Sequence, residues 1–121
     1  MVLVDTSIWV SHFREGSPKL KALLEKGEVI CHPFIIGELA CGNLKNRKEI
    51  LTLLHALPMA SLANHEEVLQ FIEERHLMGL GLDYVDVHLL ASALLSQSPL
   101  WIKDKKLREA AKKLNILFRF L

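Results

Sequence analysis

Val2-Leu3-Val4-Asp5-Thr6-Ser7 near one end of the chain and Leu100-Trp101-Ile102-Lys103-Asp104-Lys105-Lys106-Leu107 near the other decide the fold. In each stretch a short apolar run gives way, within two residues, to an aspartate and then to a helical pattern. An apolar run of three is too short for a helix and reads as a buried strand. A strand passing straight into a helix is half of a βαβ unit, so two such junctions predict a parallel sheet. Glu28-Val29-Ile30-Cys31 reads as a further strand, Leu57 to Leu62 is ambiguous between strand and loop, and Ile116 to Phe120 reads as a final strand.

Helical patterns fill the intervals. Thr6 or Ser7 is placed to cap a helix carrying Trp9, Val10 and Phe13. Ser17-Pro18 starts a second with Leu20, Leu23 and Leu24 on its stripe, closed by Gly27. Pro33 opens a helix to about Cys41, another spans about Lys48 to His55, and Asn64 with Glu67 makes a capping-box start for the next. Gly79-Leu80-Gly81 leads to a helix from Tyr84 to about Gln97, apolar on most sides, as a central helix is. Lys105 to Leu114 is a basic amphipathic helix. The expectation is one α/β domain over residues 1–121, a central, mostly parallel sheet flanked by helices.

Composition narrows the class. A chain of 121 residues, half hydrophobic and a quarter charged, buries a real core and suits a soluble globular protein. Its longest apolar runs fall far short of the roughly 20 residues that span a bilayer. The first apolar run has no basic segment before it, so no signal peptide is expected and residence in the cytoplasm is. Cys31 and Cys41 are too few for a disulfide scaffold and have no His or Cys at zinc spacing. The net charge of +1 is unevenly spread: residues 103–121 hold seven basic against two acidic residues, leaving −4 for the rest. Such a basic end either faces phosphates or is a solvated helix face.

Four acids stand at the edges of apolar segments: Asp5, Glu38, Asp86 and Asp104. Each has a structural explanation by itself, since Asp5 and Asp104 can cap the helices after them and Asp86 suits a first turn. Glu38 is harder to explain, because its neighbours Ile35, Ile36, Leu39 and Ala40 leave a narrow polar stripe and no basic residue lies one turn away. In parallel α/β sheets the C-terminal strand edges form the ligand crevice, which would bring Asp5 and Asp104 together and admit Asp86 from a helix N-terminus. Two carboxylates about 5 Å apart repel by roughly 3 kcal/mol at an effective dielectric of 20. A converging set therefore keeps protons or shares a cation. Hard oxygen ligands without His or Cys suit Mg²⁺ or Mn²⁺, which retain waters and serve phosphodiester hydrolysis.

Val4-Asp5-Thr6-Ser7, His32-Pro33-Phe34-Ile35-Ile36-Gly37-Glu38-Leu39-Ala40, Tyr84-Val85-Asp86-Val87-His88-Leu89-Leu90-Ala91 and Leu100 to Leu107 resemble, in order, the four motifs of PIN-domain proteins. They look most like the VapC toxins of bacterial type II toxin–antitoxin pairs. That resemblance implies a Mg²⁺- or Mn²⁺-dependent endoribonuclease, dimeric and held inactive by a VapB-type antitoxin. It implies Asp5 and Asp86 as direct metal ligands, Glu38 and Asp104 completing the site, and a hydroxyl contact from Thr6 or Ser7. The chain departs from the pattern at Ile102, where the family often has Thr, and before Glu38, where wider PIN proteins have Ser or Thr.

Lys103, Lys105, Lys106 and Arg108 flank Asp104 and are candidates for RNA phosphate contacts. Asp83 reads as a helix cap that is also near enough to join the site. His88 reads as a core histidine, and Trp9 and Trp101 as core or dimer-surface residues. The alternatives are a PIN-like module that binds RNA or protein without cutting, and a phosphoacceptor domain. The latter wants paired acids, which Asp5-Thr6-Ser7 does not supply.

Overall fold

β1 (Val2–Val4), β2 (Val29–Ile30) and β3 (Leu100–Trp101) are hydrogen-bonded as one parallel sheet in the order β2-β1-β3. The computed structural model describes residues 1–120. Val2 lies opposite Val29, Leu3 opposite both Ile30 and Leu100, and Val4 opposite Trp101. All three residues of β1 are buried, as befits a central strand covered on both faces. Seven helices surround the sheet among the described residues: α1 (Thr6–Glu15), α2 (Pro18–Glu25), α3 (Pro33–Cys41), α4 (Arg47–Ala56), α5 (His65–Glu74), α6 (Tyr84–Leu95) and α7 (Lys105–Lys113). The α/β architecture read from the strand–helix junctions is the one observed.

Local chemistry explains where the helices begin and end. Ser17 accepts from the Leu20 N–H at 3.2 Å, with Pro18 at the first position of α2, where its missing N–H costs nothing. Asn64 and Glu67 form a reciprocal capping box on α5. Gly16 ends α1 with φ at +79°, a conformation glycine adopts without a Cβ clash. α6 is the central helix: every residue from Val87 to Ala93 is buried. Its Leu89 and Leu90 join Leu3, Leu20, Ile35 and Leu100 among the largest side chains sealed in the core.

Several expectations are corrected. The segment 116–120 is not a strand: it contributes one parallel bridge, Leu117 beside Leu100, held by bonds of 2.8 and 3.0 Å. The ambiguous 57–62 segment does the same at the other edge, Met59 bridging Cys31. Both edges are short, which limits pairing with other chains. β2 and β3 are also shorter than read: Cys31 leaves β1 to pair with the 57–62 segment, its N–H donating to the Pro58 carbonyl at 2.9 Å, and Ile102 lies beyond the last pair, Val4 with Trp101. The residue before α1 is Asp5, not Thr6 or Ser7, and its side chain makes no capping bond. No helix among the described residues is long and apolar enough to cross a membrane.

Candidate active site

Because the strands are parallel, the residues leaving β1 and β3 emerge at one edge, and α6, running back before β3, starts there too. The Asp5 N–H makes the last sheet bond, to the Trp101 carbonyl at 3.0 Å. Its own carbonyl accepts from the Ile8 and Trp9 N–H groups at 3.1 and 3.2 Å, which starts α1. The backbone is thus consumed by strand and helix. The carboxylate is left over, and Ser7 Oγ donates to it at 3.1 Å.

Asp86 sits in the first turn of α6. Its Oδ2 accepts from the Asp83 N–H at 3.1 Å, and Asp83 Oδ1 accepts from the Asp86 N–H at 2.8 Å. Asp83 is therefore a cap, and the box it forms fixes the Asp86 carboxylate. Asp104 caps α7, its Oδ2 accepting from the Leu107 N–H at 2.9 Å. Glu38 accepts from Thr6 Oγ1 at 2.7 Å, which ties α3 to the start of α1. Thr6 and Ser7 thus each hold an acid.

Burial divides the four. Asp5 and Asp86 are half-buried, whereas Glu38 and Asp104 are exposed. The apolar neighbours of Glu38 face inward and its own side chain faces out, so sequence neighbours misplace it toward the core. Burial raises Asp5 above the ordinary carboxylate value, against the lowering bonds from Ser7 and Thr6, and Asp104 adds to the rise. Burial pushes Asp86 up to about 6, and the charges of Asp83, Asp5 and Asp104 add to it. Asp86 therefore feels Asp5 and Asp104 across the edge, and Asp5 feels Asp104.

The donor set is all oxygen, which suits a hard divalent ion. Among the described residues, no three His, Cys, Asp or Glu side chains stand close enough, as placed, to enclose one. The acids share an edge without forming a closed shell.

The basic candidates are unequally free. Lys103 Nζ meets Ser11 Oγ on α1, and Arg108 Nη1 donates to the Ile102 carbonyl at 3.1 Å. Lys105 is exposed, and Lys106 lies across the loop before α6. A Cβ at Gly81 would stand 2.8 Å from the Lys106 side chain, and Gly81 also has φ at +78°. Trp9 and Trp101 are buried, and so is His88.

A row of rings between α3 and α6 escaped the sequence reading. His32 is buried, with Nδ1 accepting from the Phe34 N–H at 3.0 Å, so its proton is on Nε2, which has no partner. Burial, with the neighbouring His88, lowers it to about 4 and keeps it neutral. His88 meets the edges of Phe34 and Tyr84, with centroids 4.8 and 4.5 Å away. The i, i+4 pair Tyr84 and His88 was the available signal. An apolar cavity of about 300 Å³, lined by residues such as Trp9, Phe13, Leu24 and Leu53, lies away from all four acids.

The family model described as PIN domain matches residues 2–113. Two relatives, each named Ribonuclease VapC32, come from Mycobacterium tuberculosis strains CDC 1551 / Oshkosh and ATCC 25618 / H37Rv. Each is 44% identical over 111 residues, covering 91% of this chain and 90% of the relative. With the strand-edge acids in their places and the match running almost end to end, the chain belongs to the PIN-domain family, in its VapC type.

Proposed function

We propose that this protein is a metal-dependent endoribonuclease, the toxin of a VapBC-type pair, with Asp5, Asp86, Glu38 and Asp104 as its metal-holding and catalytic acids. The observation that carries the reading is the shared edge: Asp104 raises Asp5 there, and both Asp5 and Asp104 add to the rise of Asp86. The names of the two relatives support RNA as the substrate. The antitoxin partner, the homodimer and work in the cytoplasm rest on the VapC type alone.

Above about pH 6 Asp86 is charged and can ligate, with its free Oδ1 the natural donor. Ser7 orients Asp5, Thr6 orients Glu38, and the Leu107 N–H orients Asp104 with Oδ1 left open. When bound, Mg²⁺ or Mn²⁺ supplies a Lewis acid for the scissile phosphate and an acidified water. The exposed Lys105 and Lys106 meet flanking phosphates, with Lys103 and Arg108 following if they leave their present partners. In-line hydrolysis leaves 5′-phosphate and 3′-hydroxyl ends.

The test is cleavage of labelled RNA with Mg²⁺ or Mn²⁺ against EDTA, in the parent protein and in Asp5→Asn. Loss of cutting in EDTA and in the variant, with the circular dichroism spectrum kept, is the expected result. Binding without any cleavage would instead favour the non-catalytic module.

A further inference from the structure

Tyr84 is the chain's single tyrosine, and its ring is held in place although 42% of it is exposed. Its hydroxyl meets His65 Nδ1 at 2.6 Å, and its ring stands edge-on to His88 with planes at 83°. His88, itself 5% exposed, stands edge-on to Phe34 on its other side, and Phe34 is 38% exposed. A buried imidazole thus supports two exposed rings, one at each flank. Exposed tyrosines are ordinarily free to rotate, and nothing in core packing calls for pinning one at both its ends.

The position matters as much as the rigidity. Tyr84 is the first residue of α6, two before Asp86, and Phe34 lies one turn ahead of Glu38 on α3. Tyr84 thus stands at the helix start that lies on the acid edge, and Phe34 shares the Glu38 face of α3. A polyanion approaching carboxylates is repelled until its charge is balanced, and its bases are the part that carries no charge. Rigid aromatic faces hold unpaired bases with little regard to sequence, and a two-torsion side chain loses little freedom in doing so.

We propose that Tyr84, with Phe34 beside it, is the ledge on which a base of single-stranded RNA stacks while the adjoining phosphate lies over the acids. The inference rests on the nuclease reading and assigns the place where a base beside the scissile bond is held. Duplex RNA keeps its bases inside the stack and gains nothing from the ledge. Tyr84 is then a positioning residue for the scissile bond, and His65 and His88 hold it.

Binding measured without cleavage separates this from the nuclease reading. Fluorescein-labelled ten-nucleotide single-stranded RNA of mixed sequence, and the same strand annealed to its complement, are titrated in EDTA and followed by anisotropy. Tyr84→Ala is expected to weaken the single strand about tenfold and leave the duplex unchanged, while Tyr84→Phe binds as the parent does. In Tyr84→Trp, which adds a third tryptophan to the buried two, the single strand is expected to quench the new emission and leave the parent's unchanged. Quenching also serves as the readout if Tyr84→Ala does not fold. Equal single-strand affinity in parent and Tyr84→Ala, an equal loss for duplex, or no quenching overturns the ledge. Cleavage that still depends on Asp5 would leave the nuclease reading standing in that case.

Discussion

Asp5 and Asp86 are the two of the four acids that folding partly removes from water, and their titration follows from it. With the pKa of Asp86 raised from 3.8 to about 6, the folded state binds its proton more tightly than the unfolded chain does. Stability in the absence of metal is therefore highest below pH 4 for this group, and is lost as pH rises through about 6. Asp86→Asn should melt higher than the parent at pH 7.5 in EDTA, by on the order of 1 kcal/mol after discounting for partial exposure, and show no such gain at pH 4. Differential scanning fluorimetry of the pair checks it. His32 acts with the opposite sign, its depressed pKa costing stability as pH falls below 6.5, so the difference between variant and parent isolates Asp86. The same variant should lose RNA cleavage at every pH.

At the scale of elements, each site acid is fixed by the start of a helix, and Asp83 serves both structure and electrostatics. Its side chain caps α6 and its charge raises Asp86. Asp83→Asn keeps an acceptor for the Asp86 N–H and removes the charge, so the Asp86 titration should move down, as read by carboxyl ¹³C NMR. Asp83→Ala removes the cap as well and should cost about 1 kcal/mol in urea denaturation. Asn64→Ala, the matching change on α5, should cost a similar amount and leave cleavage untouched, because no site acid belongs to that box. The helix starts were legible beforehand: Ser17-Pro18, Asn64 to Glu67 and Asp104 carry their own capping chemistry. The outer sheet edges were not, because Met59 and Leu117 each pair through a single bridge, and hydrophobic pattern does not tell one paired residue from five.

Over the whole molecule, a buried parallel sheet brings acids that are far apart in sequence to one edge. Leu3, fully buried in the central strand, supports that edge directly, and Leu3→Ala should cost about 2–5 kcal/mol and show it as a lower urea midpoint. An ion gathered by the acids would return free energy to the fold. Millimolar Mn²⁺ should raise the melting temperature at pH 7.5 and fail to do so at pH 5, below the Asp86 value of about 6, where its carboxyl is protonated. Asp5→Asn should abolish that shift. A shift that persisted at pH 5 would place the ion elsewhere.

The chain's own order of residues determined the α/β class and the strand–helix junctions at Asp5 and Asp104, and it singled out four acids at the edges of apolar segments, because short-range pattern and capping are local physics. Only the tertiary structure decided which acids are half-buried, that Thr6 reaches Glu38 across 32 positions, and that Tyr84, His88 and Phe34 form one row. Solvent exposure and ring contacts depend on which elements pack together, and a residue's sequence neighbours do not carry that information: Glu38, amid apolar neighbours, faces water.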